Sequence, residues 1–102
     1  MKTLTAVLTI ATLSLAAGLA QARDLSPDET LKLQDAGTIQ SIEKLEAAAL
    51  VLHPGGKAED AELEEEYGRY IYQVEIRDAQ GVQWDVELDA TNAQVLKNQR
   101  DD

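Results

Sequence analysis

Polar and apolar residues alternate with little interruption between residues 70 and 96. Tyr70, Tyr72, Val74 and Ile76 take every second position, as do Val82, Trp84, Val86 and Leu88. Gln73, Glu75, Arg77, Gln83, Asp85 and Glu87 lie between them. Period-two alternation of β-branched and aromatic residues with polar ones predicts strands that bury one face and wet the other. Asp78-Ala79-Gln80-Gly81 joins the two runs as a hairpin loop, with Gly81 free to adopt the positive φ of a bulge. Trp84 shares the parity of Val82 and Val86, which assigns it to the core. Ile71 and Arg77 fall on the outward side, where Arg77 is expected to pair across strands with Glu75, Asp85 or Glu87.

Upstream the period lengthens. Ser26-Pro27-Asp28-Glu29 reads as a helix start: Ser26 caps, Pro27 suits the first helical position, and Glu29 completes a capping box. Gly37 ends this short helix. Thr38 is expected to cap a second helix running to about Leu52, with Ile39, Ile42, Leu45, Ala49 and Leu52 on one face. His53-Pro54-Gly55-Gly56 stops it. In residues 57–66, Ala61 and Leu63 alternate with acidic residues, predicting an edge strand whose charges discourage edge-to-edge aggregation. After the third strand, Asn92 is the residue expected to tolerate left-handed geometry in a turn. Val95 and Leu96 then give a brief fourth strand. The expected fold is α+β, with N-terminal helices packed on one face of a small antiparallel β-meander.

The N-terminus carries a different signal. Lys2 precedes an uncharged, apolar stretch over residues 4–19, and Ala20-Gln21-Ala22 is an A-x-A cleavage site. The stretch is short for a membrane span, which takes roughly 20 apolar residues. The organisation expected is a signal peptide at 1–22, a short N-terminal helical segment at 23–37, the sheet-containing domain at 38–98 and a polar tail at 99–102, prone to fraying. The mature chain is expected to be periplasmic or secreted, with no membrane span after cleavage. The absence of cysteine excludes disulfides and a lipid-anchoring thiol.

Charge narrows the partners. The chain stands at −10, and cleavage would remove one basic residue, Lys2, and no acidic one. Such a balance repels nucleic acid and anionic membranes and leaves basic proteins, cationic peptides or divalent cations. The inventory argues against catalysis: His53 is the sole histidine and sits in a turn, while Ser26 and Ser41 are explained by helix starts. No catalytic residue and no cofactor is expected. Glu62, Glu64 and Glu66, extended by Asp60, form an acidic row along one strand face. Such a row does not wrap around a hard cation, so no metal site is expected. The candidate partner-binding residues are Glu62, Glu64 and Glu66, with Tyr67 in an exposed turn, the outward Ile71, and Arg77.

Tyr72-Gln73-Val74-Glu75-Ile76-Arg77-Asp78 with Gly81, then Val86-Glu87-Leu88-Asp89-Ala90-Thr91 and Val95-Leu96, resembles the PepSY domain over residues 39–97. That family combines Y-x-V-x-(hydrophobic)-x-D-x-x-G with a hydrophobic strand and a D-A-x-T-G-x-(hydrophobic)-L turn; Asn92, beside Thr91, is read here as the replacement for its glycine. PepSY domains occur in propeptides of thermolysin-like metallopeptidases, in membrane proteins and as small exported proteins. The resemblance implies a non-enzymatic exported module that binds a protein or peptide, either a peptidase that it inhibits or regulates or an envelope protein. The alternative is an acidic accessory protein that binds cations or cationic peptides.

Overall fold

The computed structural model describes residues 22–101, so the predicted signal peptide at 1–22 falls, except for Ala22, outside the described residues. The elements run β1 (Ala22–Asp24), α1 (Pro27–Asp35), α2 (Ile42–Val51), β2 (Lys57–Glu66), β3 (Arg69–Arg77), β4 (Gln83–Asp89) and β5 (Val95–Arg100). The strands form one antiparallel sheet in chain order, with the helices packed against it, and the expected α+β meander is confirmed.

Strand parity sets the core. Tyr72 faces Leu88, Val74 faces Val86 and Ile76 faces Trp84, while Leu63 of β2 lies opposite Tyr72. These side chains meet Leu45 and Ala49 of α2, together with Ile39 and Ala90. Tyr72, Leu45, Ile76, Leu88 and Val86 are each less than 2% exposed. Burying each aliphatic one contributes about 1.5–3 kcal/mol.

Trp84 is half-buried rather than central. Its Nε1 donates to Asp78 Oδ2 at 3.0 Å, and its ring lies 4.5 Å from that of His53 at a 34° tilt. His53 is buried, with Nε2 2.8 Å from Asn98 Oδ1 on β5, so the turn after α2 is clamped to β4 and β5. Asp78 also organises the hairpin. Its Oδ1 accepts from the backbone N–H of Gln80 and of Val82 at 2.9 Å each, and Gly81 has φ +85°. The Trp84 hydrogen bond, followed by that from Val82, holds the Asp78 carboxyl below its ordinary value. The aspartate of the D-x-x-G motif is thus explained by the N–H groups a tight turn leaves unpaired.

The capping box at α1 forms as expected: Ser26 Oγ accepts from Glu29 N–H, and the Glu29 carboxylate accepts from Ser26 N–H. The second helix departs from expectation, because Ser41 caps it and Thr38 does not. The backbone N–H groups of Thr38 and Ile39 both donate to Leu33 O, and that of Gln40 to Ala90 O. This pins residues 38–40 to α1 and the sheet before helical geometry begins.

Three further differences come from the ends of the chain and the last turn. β1 was not legible in the sequence; it pairs Ala22 with Glu66, Arg23 with Glu65 and Asp24 with Glu64, so β2 is a covered strand at one end and an edge at the other. At the opposite side β5 continues to Arg100, opposite Trp84, where the sequence suggested fraying. Positive φ in the last turn belongs to Ala93 (+64°), not to Asn92. Asn92 Oδ1 instead accepts from Gln94 N–H at 2.9 Å. Counting back from Val95-Leu96 in the D-A-x-T-G-x-(hydrophobic)-L pattern puts the glycine position at Ala93 as well.

Candidate functional site

Because the helices cover one face, the outward residues of every strand collect on the other. Cross-strand register builds its rows. Asp60, Glu75, Asp85 and Gln99 form one; Glu62, Gln73, Glu87 and Lys97 the next; Asp24, Glu64, Ile71 and Asp89 the third. A shallow depression of about 240 Å³ lies in this face, lined chiefly by Asp60, Glu62, Glu75, Asp85, Glu87 and Lys97.

Like charges crowd here. Glu64 is pushed up to about 7, first by burial, then by its hydrogen bond with Glu66 and the charges of Glu66, Asp24 and Glu87. Glu62 is also raised, first by the charge of Asp24. Partial compensation comes from Gln73 Nε2, which donates to Glu64 at 2.9 Å, from Gln83 Nε2, which donates to Glu75 at 2.7 Å, and from Lys97 Nζ, 4.0 Å from Glu87.

Glu62, Glu64 and Glu66 share the outward face of β2 as the sequence suggested, and β1 adds Asp24 beside them. Tyr67, 65% exposed, stands at the tip of the β2–β3 turn. Ile71 keeps its outward parity but is only 5% exposed, so it offers almost no contact surface. Arg77 is exposed, yet its Nε donates to Glu59 at 3.1 Å and its guanidinium to Gly81 O at 2.9 Å. The expected pairing of Arg77 with Glu75, Asp85 or Glu87 is therefore replaced by one with Glu59, which a β-bulge between Ala58 and Asp60 sets out of register.

Asp24, Lys97 and Asp101 were missed as members of this face, because their strand or its continuation is defined by pairing rather than by pattern. Two carboxylate trios result: Asp24, Glu62 and Glu64, and Glu75, Asp85 and Asp101, with oxygens within 4.8 Å of one another in each. These are the residues that could hold a hard cation. Each trio offers three protein ligands, against the six to eight oxygens that Ca²⁺ takes, so solvent would have to complete the shell. Chemically, the face presents acceptors for cationic groups. His53, the sole imidazole, is instead buried against Trp84 and Asn98.

The comparisons agree with this architecture. YkoJ of Bacillus subtilis (strain 168), described as an uncharacterized protein, is 35% identical over 63 residues. That match spans 61% of this chain and 37% of YkoJ, so the chain accounts for well under half of that relative's length. No solved structure matches significantly. The family described as peptidase propeptide and YPEB domain, PepSY, matches residues 39–98, from the connection before α2 into β5. Its domains are non-catalytic, propeptide-like modules associated with peptidases and their regulation. With more than half of its length matched, including the Asp78–Gly81 hairpin and the paired strands around it, the chain belongs to the PepSY family.

Proposed function

We propose that this chain is a non-enzymatic exported PepSY module that binds a protein partner, restraining or regulating a peptidase, through the acidic open face of its sheet. The observation that carries this reading is the set of carboxylates from β1 to β4 gathered on the helix-free face around the depression. A surface of one sign steers a basic partner and raises its association rate more than its final affinity. Family membership supports the peptidase connection. Among the described residues, no helix is long and apolar enough to cross a membrane.

The test is affinity capture from an exported protein fraction at low and high salt, with wild type and a Glu62→Gln, Glu64→Gln, Glu66→Gln triple variant. Captured protein that includes a peptidase, with capture reduced in the variant and by salt, supports the reading. Capture insensitive to both overturns the acidic-face assignment. A second reading, cation binding, is favoured by the two carboxylate trios. Calorimetric titration with Ca²⁺ separates it, because protein capture through charge alone needs no metal.

A further inference from the structure

The helix-covered side of the molecule holds a larger groove, of about 390 Å³, where α1, α2 and β2 meet. Its apolar lining comes from Leu25, Leu31, Ile42, Leu63 and Tyr72, and Asp24 and Glu62 border it. The volume falls within the roughly 300–1,000 Å³ of ligand sites. The groove stays open because α1 does not close over it. That helix buries no residue, and Leu31 on it is 55% exposed. A nine-residue helix is too short to be stable alone. It is held at its ends, by Arg23 on Glu29 at 3.0 Å and by Gln34 Oε1 accepting from Ile42 N–H at 3.0 Å.

We infer that this groove and the adjoining edge of β2 form a second docking surface, which takes an extended peptide segment of a partner with alternating aliphatic and basic side chains. The backbone sets the extended form. β1 ends at Asp24, and Leu25 N–H makes one last bond to Leu63 O; beyond it, residues 60–62 have no strand neighbour on that side among the described residues, and the bulge after Ala58 bounds this edge. An added strand would continue where β1 leaves. Register sets the alternation. Ala61 and Leu63 lie on the groove side and Asp60 and Glu62 on the acidic side, and a paired strand alternates with them.

Charge sets the sign. Asp24, Glu62 and Glu64 crowd one another, and Arg23, the basic residue nearest to them in the chain, is engaged with Glu29 and Glu65. A lysine or arginine placed there relieves that repulsion, whereas a fatty acid or other anionic amphiphile meets it. The surface meets the depression on the open face at Glu62, which borders both, while its apolar part lies on the helix-covered side.

The test titrates the ¹⁵N-labelled full chain with a blocked hexapeptide alternating leucine and lysine. Saturable shifts at Leu25, Leu31, Ala61 and Leu63 are expected. Replacing the peptide's leucines by serine should weaken binding about tenfold or more, and replacing its lysines by glutamate should abolish it. Leu31→Asp, and Asp24→Asn combined with Glu62→Gln, should each weaken it to a similar degree with unchanged circular dichroism. Absence of saturable shifts, shifts confined to Glu75, Asp85 and Glu87, equal binding of the serine peptide, or equal binding of dodecanoate would each overturn the inference. The serine peptide and Leu31→Asp probe only the helix-covered side, which the capture variant leaves unchanged, so either experiment can fail while the other succeeds.

Discussion

Tyr72 is the most buried aromatic residue of the sheet, 1% exposed, and its hydroxyl is a buried group with no hydrogen-bond partner among the described residues. A buried polar group left unsatisfied costs about 1–3 kcal/mol in desolvation. Tyr72→Phe removes that oxygen and keeps the ring that packs against Leu63 and Leu88 across the strands. The variant should be more stable than wild type by about 1 kcal/mol or more. In a domain of this size, each such increment raises Tm by roughly 4–8 °C. Urea unfolding should show a higher midpoint with an unchanged m value, since the surface exposed on unfolding hardly differs.

A second signature comes from alkali. Burial, and secondarily the charge of Glu46, pushes the Tyr72 phenol from 10.0 up to about 12. The folded state therefore holds its proton where the unfolded state has lost it. Its linkage contribution is fully present below pH 10 and is lost as the pH rises toward 12. The late step of the phenolate absorbance titration should vanish in Tyr72→Phe, along with that part of the alkaline destabilisation. A loss of stability in the variant would refute the reasoning, because it would mean that the hydroxyl is hydrogen-bonded in solution.

Ala93→Gly should stabilise the chain by about 1 kcal/mol by relieving left-handed geometry, while Asn92→Ala should destabilise it by about 1 kcal/mol through loss of the bond to Gln94 N–H; chemical denaturation measures both. Glu64 is raised from 4.5 to about 7, so its contribution is fully present below 4.5 and is lost as the pH rises to 7. Between those values wild type should become more stable on acidification, and Glu64→Gln should flatten the slope. Glu29, Asp78 and Asp89 are lowered, so their contributions act in the opposite sense and disappear as the pH falls below their ordinary values of 4.5, 3.8 and 3.8. Asp78→Ala should lower Tm and speed amide exchange at Gln80 and Val82, which lose their acceptor.

What could be read in the sequence was whatever rests on local pattern. The parity of Tyr72, Val74, Val86 and Leu88 places them in the core because period-two alternation has one solution against a covered face. The Ser26 box and the Gly81 turn are equally local. What could not be read depends on partners far along the chain. Ala22-Arg23-Asp24 is too short for any pattern and is a strand because β2 offers it an edge. Asn98, Gln99 and Arg100 are polar and extended because β4 pairs with them and His53 reaches Asn98. Ile71 looked exposed by parity, yet in the fold it is only 5% exposed. The acidic row was visible in β2 alone; its convergence with Asp24, and that of Glu75 and Asp85 with Asp101, required the fold.

The pairing of β1 with β2 has a kinetic consequence. Every other strand pair joins neighbours in the chain through a short turn, whereas Asp24 and Glu64 are separated by the whole helical segment. Loop-closure entropy must be met before that contact is rewarded, so the order of assembly follows contact order. The β2–β5 meander should reach the transition state first and β1 should dock afterwards. Arg23→Ala, which removes the ion pairs to Glu29 and Glu65, should then leave the folding rate nearly unchanged and accelerate unfolding, a φ-value near zero. An equal effect on both rates would place β1 in the nucleus. If β1 docks last, its departure is also the lowest-energy opening of the sheet, and the edge of β2 becomes available while the rest of the domain remains folded.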